Sequence, residues 1–290
     1  MSTTGFRPRR SVLYMPAANE RALEKAKTLP ADAIIFDLED AVAPDAKVGA
    51  RPNAVAAASS GEFGHRELTI RCNGLDTPWG ADDLAAAATS GASAVVVPKV
   101  GSVDYLDRIS ALLDDNGAPA ELTIWAMVET PTAVFDVRAI AAHPRVAALV
   151  MGTNDLAREL RSSLGAAGRH PLVPHLATAV AAAREAGIAI LDGVYNDVHD
   201  LDGFRAECVQ GMEMGFDGKT LIHPNQVPIA NEVWAPSDDE VAHARRVIDA
   251  FDEGLASGRG VVTVDGRMIE NLHVDNARRV LAVADAIASL

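Results

Sequence analysis

Two carboxylates, Glu129 and Asp155, stand 155 − 129 = 26 residues apart, each just after a short apolar run. That interval is one strand-plus-helix repeat, so a parallel α/β fold would set the two groups side by side. Paired carboxylates suit one hard divalent cation, while water and substrate oxygens complete the octahedron. The bland alternative makes Glu129 the cap of a helix starting near Pro131 and Asp155 the cap of another. Asp155 lies in Gly152-Thr153-Asn154-Asp155-Leu156, a glycine-led tight turn that suits a ligand carrier.

Arg71 closes another apolar run and precedes Cys72-Asn73-Gly74. A guanidinium there needs an anion, and its planar fork suits carboxylate or enolate oxygens. Glu39 and Asp40 offer an internal ion pair instead, and both roles can coexist. Cys72 points the other way and reads as a packed thiol. Arg21 and Lys25 are four apart on one helical face, which suits a phosphorylated tail or simply a solvated surface. His223, in Ile222-His223-Pro224-Asn225-Gln226, reads as a neutral hydrogen-bonding residue, because the carboxylates already supply a metal site.

These groups need a frame. Short apolar runs recur at 12–15, 33–38, 68–72, 94–100, 122–129, 148–152, 188–193 and 219–222. Most are continuously apolar, the pattern of parallel strands buried on both faces. Alanine-rich stretches at 19–29, 79–90, 103–115, 132–142, 174–187 and 198–214 read as the helices between them. Eight alternating units fit a (β/α)8 TIM barrel, whose working residues sit at the C-terminal strand ends. Asp37, Glu39, Asp40, Arg71, Lys99, Glu129, Asp155 and Asp192 all fall there. An open doubly wound sheet is the alternative, but no Gly-x-Gly-x-x-Gly follows the first strand.

The barrel domain is expected over 1–235, with a helical extension over 236–290. That extension holds a helix at 237–257, a glycine-rich joint at 257–260, a hairpin turning at Asp265-Gly266 and a final helix over 274–289. Val274, Ala277, Val280, Leu281 and Ala284 recur at helical spacing, so the last helix must bury an apolar stripe, on its own barrel or on a neighbouring subunit.

Composition narrows the function. The chain has 290 residues, and 26 Lys and Arg against 40 Asp and Glu leave a net charge of −14. Nucleic acid and anionic membranes are poor partners for such a surface. Two cysteines without metal spacing point to a reducing, cytoplasmic setting. No run approaches a membrane span, and residues 1–16 lack the apolar core of a secretory leader.

Taken together, the motifs resemble the citrate lyase β-subunit-like family, which includes malyl-CoA and citramalyl-CoA lyases. They run from 10–16 through 37–42, 71–80, 98–99, 129–131, 152–156 and 218–219 to 222–227, in order along the chain. The resemblance implies a (β/α)8 barrel assembled as trimers or dimers of trimers. It implies Glu129 and Asp155 as Mg2+ ligands, with Glu129 also touching substrate, and Arg71 on the substrate oxygens. Tyr14, Arg21 and Lys25 fall where relatives contact coenzyme A, although relatives often carry lysine in place of Arg21. Ala17 stands where glycine is common, and Glu270 where many members carry an aspartate in a C-terminal lid.

The expected activity is therefore Mg2+-dependent carbon–carbon cleavage of a 3-hydroxyacyl-CoA such as malyl-CoA or a methylated analogue. The products would be an acyl-CoA and a 2-oxo acid such as glyoxylate. Glu39, Asp40 and Glu270 are the candidate proton carriers beside Arg71. A malyl-CoA thioesterase, or a lyase subunit acting on an acyl-carrier-protein thioester, would use the same groups. A non-catalytic CoA-binding protein is the remaining alternative.

Overall fold

Eight short strands, none longer than six residues, are each shielded from water on both sides, which is why their runs read as unbroken apolar stretches. In the computed structural model of the chain they are β1 (Ser11–Pro16), β2 (Ala33–Asp37), β3 (Glu67–Arg71), β4 (Ala94–Val97), β5 (Thr123–Val128), β6 (Val146–Met151), β7 (Ala189–Asp192) and β8 (Gly218–Leu221). The structure describes residues 7–164 and 168–290; the first six positions of the N-terminal stretch read for a leader lie outside them. All eight strands pair in parallel in chain order, and β8 returns to β1, closing the barrel. Residues alternate between lumen and helix layer. Val12, Ile35, Val96, Trp125, Val150 and Leu191 belong to one buried cluster that fills the lumen.

The connecting helices are α1 (Glu20–Ala26), α2 (Lys47–Ser59), α3 (Gly80–Ala88), α4 (Val103–Asp115), α5 (Pro131–Ala141), α6 (Thr153–Glu159), α7 (Val173–Ala186) and α8 (Leu201–Met214), followed by α9 (Val227–Val233). Three of these, α2, α6 and α9, were not expected. Gly49 and Pro52 interrupt the helical signal of α2, which forms nonetheless. The supposed tight turn around Asp155 is the first turn of α6, with Gly152 as its N-cap.

Two compact units divide the chain, Arg9–Asn231 and a second one formed mainly by Glu232–Leu290. In the second, α10 (Asp238–Ala256) starts from a Ser237–Glu240 capping box and packs on α11 (Asn271–Ala288). Strands β9 (Val262–Val264) and β10 (Arg267–Ile269) form the expected hairpin. Asp265 and Gly266 both take left-handed backbone, φ 48° and 76°, as a two-residue turn between right-twisted strands requires. The apolar stripe finds its partner inside this unit. Val274 and Ala277 are buried against Val247, Phe251 and the hairpin. The joint at 257–260 likewise lies within the unit, between α10 and β9, not at its boundary with the barrel. No described helix is long and apolar enough to cross a membrane.

Candidate active site

Along each barrel strand, the residue that follows the filled lumen layer by two positions faces the mouth. On this parity stand Tyr14, Asp37, Arg71, Glu129 and Gly152. Four of the five are polar or charged, and Gly152 makes room for one of them.

Glu129 follows β5 and is only 2% exposed. Its Oε1 accepts a 2.7 Å hydrogen bond from the Lys99 backbone N–H. A Cβ at position 152 would lie 2.3 Å from Oε2, so only glycine leaves space for this carboxylate. Neither Glu129 nor Asp155 serves as a helix cap. Thr130 caps α5, its hydroxyl accepting from the Ala133 N–H, and Gly152 caps α6. Asp155, in the first turn of α6, pairs with Arg158 at 2.6 Å and remains partly open to water. Burial, followed by the negative charge of Glu39 and then Asp155, pushes the Glu129 carboxyl up to about 8. A divalent cation would relieve this repulsion. Among the described residues no three His, Cys, Asp or Glu side chains converge on one point, so two carboxylates with water and substrate oxygens are the donor set on offer.

Arg71 is buried, and its fork is already engaged. Nε and Nη2 donate to Asp37 Oδ1 and Oδ2 at 2.7 and 2.6 Å. Nη1 approaches Glu39 at 2.8 Å and Asp40 at 3.6 Å. The two-pronged contact expected for substrate therefore belongs to Asp37, and Nη1 is what the mouth receives. Asp37 also accepts from the N–H groups of Glu39 and Ala41, which folds the loop carrying Glu39 over the arginine. The Tyr14 ring lies under the guanidinium, 4.6 Å from ring centre to Cζ. Burial raises its hydroxyl above the usual tyrosine range. Glu39 is raised to about 7, first by burial, against the opposing pull of Arg71. A carboxyl poised near neutrality beside a fixed cation can exchange a proton at physiological pH.

Other expected residues lie apart. Arg21 and Lys25 are exposed on α1, without an ion pair among the described residues. His223 is exposed, and its Nδ1 meets Asn225, as a hydrogen-bonding histidine would. Glu270 belongs to the second unit, where it is the N-cap of α11. Asp192 was counted among the rim groups, but its parity turns it outward into the helix layer. There Lys219 at 2.9 Å and Arg169 at 2.5 Å neutralise it. Cys72 and Cys208 are buried and free, as packed thiols. Sequence reasoning placed Asp37 at the rim but gave it no role, although its register partner across β2 and β3 is Arg71 itself.

A family profile described as HpcH/HpaI aldolase/citrate lyase matches residues 10–224. The chain belongs to this family. The (3S)-malyl-CoA thioesterase of Cereibacter sphaeroides is 50% identical over 282 residues, covering 97% of this chain and 96% of that protein. Citrate lyase subunit beta of Escherichia coli is 36% identical, covering 96% and 94%. Among solved structures, protein CitE from Mycobacterium tuberculosis in complex with magnesium, acetoacetate and coenzyme A superposes with a TM-score of 0.78. It is 29% identical, and the match covers 96% of this chain and 98% of that one. The HpcH/HpaI membership accounts for the barrel and for the order of the motifs.

Proposed function

We propose that this family member is a Mg2+-dependent enzyme acting on a 3-hydroxyacyl-CoA such as (3S)-malyl-CoA, and that its reaction is hydrolysis of the thioester. The observation that carries the reading is buried Glu129 at the mouth, with half-buried Asp155 and with Arg71 both near enough to act on its charge. The choice of hydrolysis over carbon–carbon cleavage leans on the half-identical thioesterase, whose likeness runs nearly end to end. Bound Mg2+ would supply a Lewis acid for the hydroxyl and carboxylate oxygens of the acyl group. Glu129 and Asp155 would hold it. Arg71 Nη1 faces the negative charge that develops on the thioester oxygen, and Asp37 with Tyr14 keeps that donor in place. Glu39 takes the proton of the attacking water, with Asp40 at the exposed edge of the same cluster. The carbon–sulfur bond then breaks, the proton held by Glu39 passes to the departing sulfur, and CoA thiol and intact malate are released.

Cleavage to acyl-CoA and glyoxylate is the second reading, favoured by the citrate lyase likeness, and would use Arg71 against an enolate oxygen instead. An acyl-carrier-protein thioester is its variant. Arg21 and Lys25 are the proposed contacts for CoA phosphates, and Tyr14 borders the thioester end. Mn2+ should replace Mg2+. The proposed assembly is a homotrimer or dimer of trimers in the cytoplasm, with 236–290 as an extension that lends Glu270 to a neighbouring site as a proton carrier. Incubation of the protein with (3S)-malyl-CoA and Mg2+ tests the reading. Free thiol with malate means hydrolysis, and glyoxylate with acetyl-CoA means cleavage. No turnover of this thioester or its methylated analogue, with CoA still bound, would leave only a CoA-binding role.

A further inference from the structure

Three non-glycine residues among those described have φ in the left-handed region: Lys99 at 49°, Arg161 at 55° and Asp265 at 48°. Asp265 is explained by its hairpin turn, and Arg161 follows the end of α6. Lys99 stands two residues beyond β4, at the mouth, where a side chain bearing a Cβ pays for that conformation and glycine would not. What the conformation achieves is visible in one contact. In this conformation the Lys99 N–H donates to Glu129 Oε1 at 2.7 Å. On the other side of the same carboxylate, Gly152 leaves the space that Oε2 fills. The Lys99 side chain is exposed, has no ion pair among the described residues, and lies close enough to Glu39 for its charge to favour the ionised carboxylate there.

We propose that Lys99 is a positioning residue for the cation site: its left-handed backbone aims one N–H at Glu129 and thereby fixes which carboxylate oxygen is free to bind Mg2+. The inference rests on Glu129 being a Mg2+ ligand. Groups that orient a ligand from behind commonly carry tenfold or more of the metal affinity. The backbone role predicts an order that charge cannot produce, because Lys99→Gly, Lys99→Asn, Lys99→Ala and Lys99→Val all remove the amine equally. Glycine and asparagine accept the left-handed region, alanine accepts it at a cost, and valine resists it.

Isothermal titration of Mg2+ into the substrate-free full chain reads this directly, with thermal melts of each variant alongside. The expected result is similar affinity for Lys99→Gly and Lys99→Asn and about tenfold weaker binding for Lys99→Val, with Lys99→Ala between. Should the valine variant fail to fold, the alanine variant carries the comparison against glycine. Equal Mg2+ affinity across the folded variants overturns the positioning role while leaving the metal site intact. A wild-type chain that takes up no Mg2+ overturns the metal reading itself, and this inference with it.

Discussion

A single methyl group at position 152 is the smallest perturbation that should separate the site from the fold. Built on Gly152, a Cβ would lie 2.3 Å from Glu129 Oε2 and 2.4 Å from Glu129 Cβ. The second distance matters more, because turning the Glu129 side chain cannot move its own Cβ. Carbon atoms touch at about 3.5 Å, so the backbone after β5 or at the start of α6 must yield by roughly 1 Å. Overpacking of this kind costs about 1–3 kcal/mol. For a barrel of this size that is a Tm drop of about 2–12 °C. A 1 Å displacement of a group that must hold a cation can cost about 100-fold in kcat/KM, or roughly 2.7 kcal/mol of transition-state stabilisation. Gly152→Ala should therefore remain folded while losing most turnover and needing more Mg2+. Gly49→Ala, on an exposed helical turn with nothing within 4 Å, should instead gain up to about 1 kcal/mol and keep its activity. Differential scanning calorimetry and steady-state kinetics on both variants decide the matter. Full turnover by a Gly152→Ala protein with an unshifted Tm would refute the placement of Glu129.

Arg71→Lys should lose at least 100-fold in kcat/KM, because an ammonium cannot keep two parallel bonds to Asp37 and still present a third donor; wild-type kinetics would free Arg71 from the mechanism. Lys219→Met removes one of the two cations neutralising fully buried Asp192, and should cost about 3–5 kcal/mol in urea denaturation. Burial alone would raise the Asp192 carboxyl, but Lys219 and Arg169 outweigh it and hold it below the usual range. Its stabilising contribution is thus complete above about pH 4 and fades as pH falls through the depressed value. Asp192→Asn should accordingly flatten the acid limb of the stability profile, and an unchanged limb would refute the assignment. Mixing inactive Glu129→Ala with inactive Glu270→Ala subunits should restore part of the activity if the extension serves a neighbour; dead mixed oligomers would remove Glu270 from that role.

Much of the barrel was legible because burial on both faces leaves few residue types for a strand, so runs such as 33–38 and 94–100 announce themselves. Helix α2 was not, since Gly49 and Pro52 weaken its local signal and tertiary packing supplies what propensity lacks. At the site, Glu129, Arg71 and Glu39 were readable as polar ends of apolar strands. Asp37 was legible as a rim residue but not as the partner of Arg71, which only the register of β2 against β3 supplies. Asp192 misled for the complementary reason: strand ends carry both parities, and a one-residue shift turns a carboxylate from mouth to helix layer. Lys99 acts through its backbone, and no side-chain motif reports that.

The ring also has a weakest seam. Strands β7 and β8 share only two register pairs, Leu191 with Gly218 and Asp192 with Lys219. Side chains compensate, through the Asp192–Lys219 pair and the Thr220 hydroxyl bonded to the Asp192 carbonyl. β8 must also meet β1 across nearly the whole barrel sequence, and that long-range closure carries the largest loop entropy of the sheet. At this seam β8 is therefore held to β7 by charge more than by ladder. Neutralising Asp192 at low pH would leave an unlatched ring whose two bare edges are templates for pairing with other chains. Acid storage should favour aggregation through β7 and β8 before the remaining barrel unfolds.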